Sequence, residues 1–173
     1  MRVKAFCAQS FRLSVHKAAG VPPITSPPVD LPSFRSSILA PCNLLYLKLH
    51  GLPHQGFWYG DNWVTACSRY QVAKCHLQGA VVFAANCFLP ESPMLAALFE
   101  AGASAVIAGS GPNYGGRTTL LSADIIGAGF RRGLSAGLSP GAALNLAKAA
   151  LIVMPGRGKR DALAFKVYRP PPV

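Results

Sequence analysis

Two apolar segments, each ending in a chemically reactive side chain, decide the fold: residues 43–49 (NLLYLKL), followed by His50 and Gly51, and residues 79–86 (GAVVFAAN), followed by Cys87. Continuous apolar runs of this length are typical of parallel strands buried on both faces of a sheet. Between them lie enough residues for the crossover that parallel pairing requires. These two segments therefore predict neighbouring strands at the centre of an α/β sheet.

Further strand and helix signals surround this centre. Residues 103–108 (ASAVIA) repeat the apolar pattern, residues 162–168 (ALAFKVY) alternate as in a strand, and residues 3–7 indicate a short N-terminal strand. Capping and spacing signals predict three helices, at residues 93–101, 118–136 and 140–153. This order predicts an α/β domain with a mostly parallel sheet flanked by helices.

The chain divides into three parts by composition. Residues 1–42 combine one strand with a Pro- and Ser-rich connector, residues 43–169 form the α/β core, and residues 170–173 are a Pro-rich tail. The sequence leaves open whether residues 1–42 complete the sheet. If they do not, the exposed edge strand would need a partner domain or a second copy of the chain.

The placement of His50 and Cys87 suggests nucleophilic catalysis. Neighbouring strands lie about 4.8 Å apart, so side chains that follow their carboxyl ends emerge at the same edge of the sheet. A nearby imidazole can activate a thiol that is otherwise mostly protonated at neutral pH. The backbone N–H groups of Gly51 and Cys87 are candidates for binding a developing oxyanion.

The paired blocks LLYLKLHG and AVVFAANC resemble those of the caspase–gingipain class of cysteine peptidases, with CHAT-domain and gingipain-like members nearest, and the similarity covers residues 43–168. The resemblance implies a three-layer caspase-like sandwich and a catalytic dyad. His50 would be the acid–base, Cys87 the nucleophile that forms a thioester acyl-enzyme, and Gly51 an oxyanion contributor. It also implies selectivity for the residue before the scissile bond.

Three further residues are candidates for substrate binding. Asp61, in the aromatic loop 56–63 (GFWYGDNW), could bind a basic substrate side chain, with Glu91 as the alternative. Ser110 and Asn113 lie in the glycine-rich stretch after the third strand, which faces the substrate in the peptidase interpretation.

Other functions also fit parts of the sequence. The chain could be a catalytically inactive CHAT-like domain that binds other proteins. Residues 111–118 (GPNYGGRT) nearly match a phosphate-binding loop but have Arg117 in place of the lysine. A zinc site would draw on His50, His54, Cys67, Cys75 and His76, but their spacing fits no standard ligand pair, so no metal or other cofactor is predicted.

Composition limits the cellular setting and the partners. The formal net charge is +11, yet no motif of a nucleic-acid-binding module accompanies it, which argues against nucleic acid as a partner. The five cysteines form no regular framework, and no segment has the pattern of a signal peptide or a membrane span. We therefore expect a cytoplasmic protein that acts on a protein or peptide substrate, away from membranes.

Overall fold

The computed structural model describes residues 1–152 and 157–171, which fold around one six-stranded sheet. In chain order its strands are β1 (Val3–Ala8), β2 (Ile24–Ser26), β3 (Leu44–Lys48), β6 (Val81–Ala84), β7 (Ala105–Gly109) and β8 (Phe165–Tyr168). A separate two-stranded sheet consists of β4 (Phe57–Tyr59) and β5 (Thr65–Ser68). The helices are α1 (Arg12–Ala19), α2 (Arg69–Ala73), α3 (Met94–Glu100), α4 (Ser122–Ser135), α5 (Pro140–Ile152) and α6 (Arg157–Ala164).

The strand order in the large sheet is β2-β1-β3-β6-β7-β8. All neighbours are parallel except β8, which runs antiparallel to β7. The central strands β3 and β7 are buried along their whole length, as the continuous apolar runs predicted. This confirms the predicted mixed α/β class with a mostly parallel sheet.

Helices cover both faces of the sheet and make three layers. On one face Leu47 and Val82 pack with residues of α2 and α3 and with the hairpin β4–β5. On the other face Tyr46 and Phe83 pack with residues of α1, α4 and α5, and the rings of Phe83 and Phe165 stack with centroids 5.5 Å apart. Each central strand therefore contributes side chains to two separate apolar cores.

The N-terminal part belongs to the sheet. Strand β1 lies between β2 and β3, with Val3 opposite Leu44 and Cys7 opposite Lys48. The predicted strand at residues 3–7 is therefore present, and the predicted connector holds the additional strand β2 between pairs of prolines. The limits predicted for the three parts of the chain remain predictions. Strand β1, which precedes the predicted boundary at residue 42, nevertheless pairs with β3, which follows it.

Three secondary-structure predictions need correction. Residues 162–164 are the last turn of α6, and only residues 165–168 form the predicted strand, because the alanine-rich sequence before Phe165 favours a helix. The crossover between β3 and β6 carries the hairpin β4–β5 as well as helix α2. The predicted helix 118–136 begins only at Ser122, as α4, so its first four residues are wrong; the predicted helices 93–101 and 140–153 appear as α3 and α5, and residue 153 lies outside the described residues.

A buried ion pair connects the sheet to the loop before α4. The ammonium of Lys48, at the end of β3, donates hydrogen bonds to Asp124 Oδ1 (2.6 Å), to the carbonyl of Gly116 (2.7 Å) and to Ser14 Oγ (3.0 Å). Asp124 Oδ2 accepts from the N–H groups of Gly116 and Leu121. Lys48 is 3% exposed and Asp124 is 0% exposed. Both buried charges are thus paired and hydrogen-bonded inside the protein, as burial of charge requires.

We expect Lys48→Met to lower the free energy of unfolding by about 3–5 kcal/mol, because it leaves the buried Asp124 carboxylate without its counter-charge. Urea denaturation followed by circular dichroism measures this. Lys74→Met, at a lysine outside the core, is the matched control and should change stability by less than about 0.5 kcal/mol. Equal stabilities for the two variants would show that the ion pair does not stabilise the fold.

Candidate active site

His50 and Cys87 meet at the carboxyl edge of the sheet. Strands β3 and β6 are parallel neighbours, and the N–H of Leu49 donates to the side-chain oxygen of Asn86 (3.0 Å), which extends their pairing beyond the last strand residues. Both His50 and Cys87 then line one cavity of about 160 Å³. The structure therefore brings together the two side chains that the strand pattern placed at this edge.

Gly51 lies directly against Cys87. A Cβ atom at position 51 would overlap the carbonyl oxygen of Cys87, so only glycine permits this approach of the two chain segments. Within residues 1–152 and 157–171, the N–H groups of Gly51 and Cys87 have no hydrogen-bond acceptor. Two unpaired donors thus lie where the two strand ends converge.

Asn113 contacts the thiol through its backbone. Its N–H donates to Cys87 Sγ (3.3 Å), and its carbonyl accepts a weaker hydrogen bond from the thiol (3.7 Å). The side-chain amide of Asn113 also donates to the carbonyl of Asn86 (2.7 Å). The loop of residues 110–121 therefore crosses the front of Cys87 and is tied to the residue that precedes it.

Burial makes both members of the pair neutral at neutral pH. Burial raises the pKa of the Cys87 thiol, and the hydrogen bond from the Asn113 N–H opposes that rise. Burial also lowers the pKa of His50, an effect that the Asp61 carboxylate opposes and the Arg117 guanidinium reinforces. The resting site is consequently a thiol beside an uncharged imidazole, and His50 is available as a general base.

Aromatic rings and a backbone bridge surround His50. Its ring centroid lies 5.4 Å from that of Phe11 and 5.6 Å from that of Trp63. The backbone N–H of His50 donates to the carbonyl of Tyr59 (2.8 Å), and the backbone N–H of Tyr59 donates to the carbonyl of His50 (2.9 Å). The hairpin β4–β5, which the sequence did not predict, is therefore attached directly to the candidate base.

The predicted substrate-binding residues occupy three different places. Asp61 shares an open cleft of about 350 Å³ with His50 and Arg117, and its two carboxylate oxygens accept from the N–H and Oγ of Ser10, both at 2.7 Å. Ser110 lines a separate cleft of about 480 Å³. Asn113 lines the Cys87 cavity itself.

Tyr114 belongs to the loop of residues 110–121, and Glu91 forms a hydrogen bond with it. Tyr114 lines both the Ser110 cleft and the Cys87 cavity, so the two spaces share one wall. Glu91, the alternative to Asp61, accepts a hydrogen bond from the N–H of Gly111 (3.3 Å) on the far side of the loop. Glu91 thus holds the start of the loop and does not share the cleft that contains His50.

Sequence reasoning missed the polar residues that build the site. Lys48 lines the Cys87 cavity, with its ammonium 4.5 Å from the centroid of the Phe11 ring. Asn86 is fully buried and contacts both the His50 strand and the Asn113 loop. Lys48 is a polar residue near the end of the apolar run NLLYLKL, and Asn86 is the polar residue that ends the apolar run GAVVFAAN. A buried polar residue at the end of a central strand is a signal that could have identified them.

The geometry gives little support to the phosphate-binding and metal-binding alternatives. In the glycine-rich loop the N–H of Gly116 is committed to the Asp124 carboxylate (2.6 Å) and so cannot bind phosphate. Across the described residues, no group of three or more His, Cys, Asp or Glu side chains is arranged to hold a metal ion. None of the helices in residues 1–152 and 157–171 has the length and apolar character to cross a membrane.

Comparison with known proteins identifies the fold. No family model matches the chain, and no curated protein is similar to it in sequence. Two crystal structures of the Saccharomyces cerevisiae separase–securin complex are similar over 97% of this chain, with TM-scores of 0.61 and 0.62 and 12% sequence identity. The chain spans 12% of the length of the protein it matches in them. This α/β domain therefore has a caspase-like fold, similar to the caspase-like domain of separase.

Proposed function

We propose that this chain is a cysteine endopeptidase of the caspase–gingipain type, with His50 as acid–base and Cys87 as nucleophile. One observation carries the proposal: the two side chains line a single cavity at the carboxyl ends of neighbouring parallel strands. The caspase-like fold is compatible with this chemistry and supports it. The unpaired N–H groups of Gly51 and Cys87 supply the remaining requirement, an oxyanion site.

In the acylation step, His50 removes the thiol proton of Cys87 as the sulfur attacks the carbonyl carbon of the scissile peptide bond. The carbonyl oxygen becomes an oxyanion, which accepts hydrogen bonds from the N–H groups of Gly51 and Cys87. The C–N bond then breaks, the imidazolium gives its proton to the leaving amine, and a thioester joins the acyl group to Cys87.

In the deacylation step, His50 takes a proton from a water molecule that attacks the thioester carbonyl. The second tetrahedral intermediate uses the same two N–H groups. It collapses with release of the carboxylic acid, and the departing sulfur recovers its proton from the imidazolium. Because the resting imidazole is uncharged, it can act as the base in both steps.

The substrate in this proposal is a protein or peptide. Asp61 and Ser110 lie in two clefts that share His50 and Tyr114, respectively, with the Cys87 cavity, which suits contacts with substrate residues flanking the scissile bond. Asn113 would contact the substrate at the thiol itself. The similar separase structures hold that protein in complex with securin, which fits a protein partner for this chain too. Five cysteines without disulfides fit a reducing, cytoplasmic setting.

One observation favours the alternative, a non-catalytic interaction domain of the same fold. Asn113 contacts the Cys87 sulfur with both its N–H and its carbonyl, and the cavity of about 160 Å³ is smaller than ligand sites usually are. A peptide reaches the thiol only if the loop of residues 110–121 moves. In the alternative, the loop keeps this position.

Labelling with peptidyl acyloxymethyl ketones that end in a basic, acidic or Asn residue tests the proposal. We expect saturable labelling at Cys87 that His50→Ala abolishes, located by peptide mass mapping. His76→Ala, at an exposed histidine, is the matched control and should label normally.

Labelling of Cys87 in preference to the other four cysteines is not by itself evidence of catalysis. Cys7, Cys42, Cys67 and Cys75 are 0–8% exposed, so burial alone would direct a reagent to Cys87. The dependence on His50 is the decisive result. Labelling that is equal in the wild type and in His50→Ala would exclude the peptidase and favour the interaction domain.

We expect Gly51→Ala to slow acylation of Cys87 by about 10²–10³-fold, because a Cβ at this position displaces the Cys87 carbonyl and misaligns the oxyanion donors. Stopped-flow release of the leaving group from a peptide ester measures the rate. Gly141→Ala, where a Cβ meets no atom, is the control. A rate for Gly51→Ala close to that of the control would remove Gly51 from the oxyanion site.

We expect alkylation of Cys87 by iodoacetamide to increase with pH through a midpoint above that of a cysteine in an unstructured peptide. The reason is the raised pKa of the Cys87 thiol: only the thiolate reacts, and a higher pKa leaves less thiolate at neutral pH. A rate already on a plateau at neutral pH would instead indicate a resting thiolate–imidazolium pair, contrary to the neutral pair that burial favours.

A further inference from the structure

We propose that Trp63 is a positioning residue for His50, holding the imidazole by ring contact together with Phe11. The inference rests on the proposed function, because it names what orients the general base. Catalysis by His50 requires its ring nitrogen to face the Cys87 thiol, and side chains that act as bases are normally held by a third group.

Hydrogen bonds do not orient the His50 ring. Within residues 1–152 and 157–171 its nitrogens have no hydrogen-bond partner, and Asp61, the acid beside it, uses both carboxylate oxygens to bind Ser10. What touches the imidazole is aromatic: Phe11 at a centroid distance of 5.4 Å and Trp63 at 5.6 Å. Such ring contacts have defined distances and angles and so restrict rotation of the imidazole.

The backbone at Trp63 is held in a conformation that costs energy. Asn62 and Trp63 have φ values of 55° and 60°, two consecutive non-glycine residues in the left-handed region. Side chains of L-residues disfavour that region, and the arrangement persists only when surrounding contacts enforce it. Here it turns an indole that is 61% exposed onto His50, although the ring gains little burial there. Packing in the core therefore does not account for the conformation, whose result is that the indole lies against His50.

The surrounding contacts tie this turn to the other ring. The N–H of Gly60 donates to the carbonyl of Val64 (2.8 Å), which closes the turn around Asn62 and Trp63. Asp61, in the same turn, accepts the two hydrogen bonds from Ser10, and Phe11 is the next residue after Ser10. The pair Ser10–Asp61 thus joins the two segments that carry the rings in contact with the imidazole.

Tyr59 attaches the hairpin β4–β5 directly to His50. Tyr59 exchanges two backbone hydrogen bonds with His50, and its ring meets that of Trp63 edge-on at 5.7 Å. The indole is therefore held at a fixed distance from the His50 backbone. The charged groups around this assembly are Asp61 and Arg117 beside His50, and Lys48 under the Phe11 ring.

The test compares Trp63→Ala with Trp63→Phe and with Tyr70→Ala, which removes another exposed aromatic ring (70% exposed). We expect Trp63→Ala to lower the limiting rate of Cys87 acylation by a peptide ester about 10²-fold, as loss of alignment does. Trp63→Phe should restore most of that rate, and Tyr70→Ala should leave it unchanged. Circular dichroism establishes that each variant is folded.

A second measurement does not depend on activity. Burial lowers the pKa of His50, so removing the indole should raise it toward the value of a free imidazole. Titration of the His50 Cε1–H signal by NMR should therefore shift to higher pH in Trp63→Ala and stay in place in Tyr70→Ala. If the wild type is not acylated at all, the proposed function fails, and this titration still tests the contact between the rings.

Two outcomes would overturn the inference. An unchanged His50 titration together with an unchanged acylation rate in folded Trp63→Ala would show that the indole does not hold the imidazole. A change confined to the ester concentration for half-saturation, with the limiting rate intact, would make Trp63 a wall of the substrate cleft instead.

Discussion

Parallel pairing of β3 with β6 is the constraint on which the candidate site depends. Parallel strands end at the same edge of a sheet, so residues that follow them are neighbours however far apart they are in sequence. Asn86 extends the pairing by accepting from the N–H of Leu49, and Gly51 lets the next residues approach the carbonyl of Cys87. The proximity of residues 50 and 87 thus follows from backbone geometry, whereas the orientation of the imidazole depends on its side-chain contacts.

The loop of residues 110–121 is the second element of the site, and a buried charge holds it. The ammonium of Lys48 reaches the carbonyl of Gly116 and the Asp124 carboxylate, which itself binds the N–H of Gly116. A buried ion pair contributes little net stability compared with apolar packing, but breaking it by moving one partner is costly. Lys48 therefore fixes where the loop crosses Cys87, from a position two residues before His50. Movement of Asn113 away from the thiol must occur between this anchor and the one at Glu91.

The hydrophobic pattern was sufficient to predict the central strands of the sheet. It also determines which site residues can be predicted from the sequence and which cannot. The apolar runs that became β3, β6 and β7 lie in the interior, so their strand character is visible in sequence without any partner. Strand β2 was missed because its three residues lie between prolines, and the hairpin β4–β5 because its short strands have no long alternating pattern.

His50 and Cys87 follow strands directly, whereas the contacts of Asp61 with Ser10 and of Lys48 with Asp124 join segments that no local pattern relates. Such contacts arise only from tertiary packing.

Backbone strain gathers around the same edge of the sheet. Of the five non-glycine residues with positive φ among those described, His54 follows the His50 segment, Asn62 and Trp63 lie in the turn beside it, and Phe88 comes directly after Cys87; the fifth, Ser122, begins α4. A left-handed residue right after Cys87 turns the chain sharply at the end of the strand. Each such residue costs about 1 kcal/mol or more, which packing elsewhere must offset. Four of the five strained residues therefore lie near His50 or Cys87, a distribution that is typical of functional sites and agrees with the proposed one.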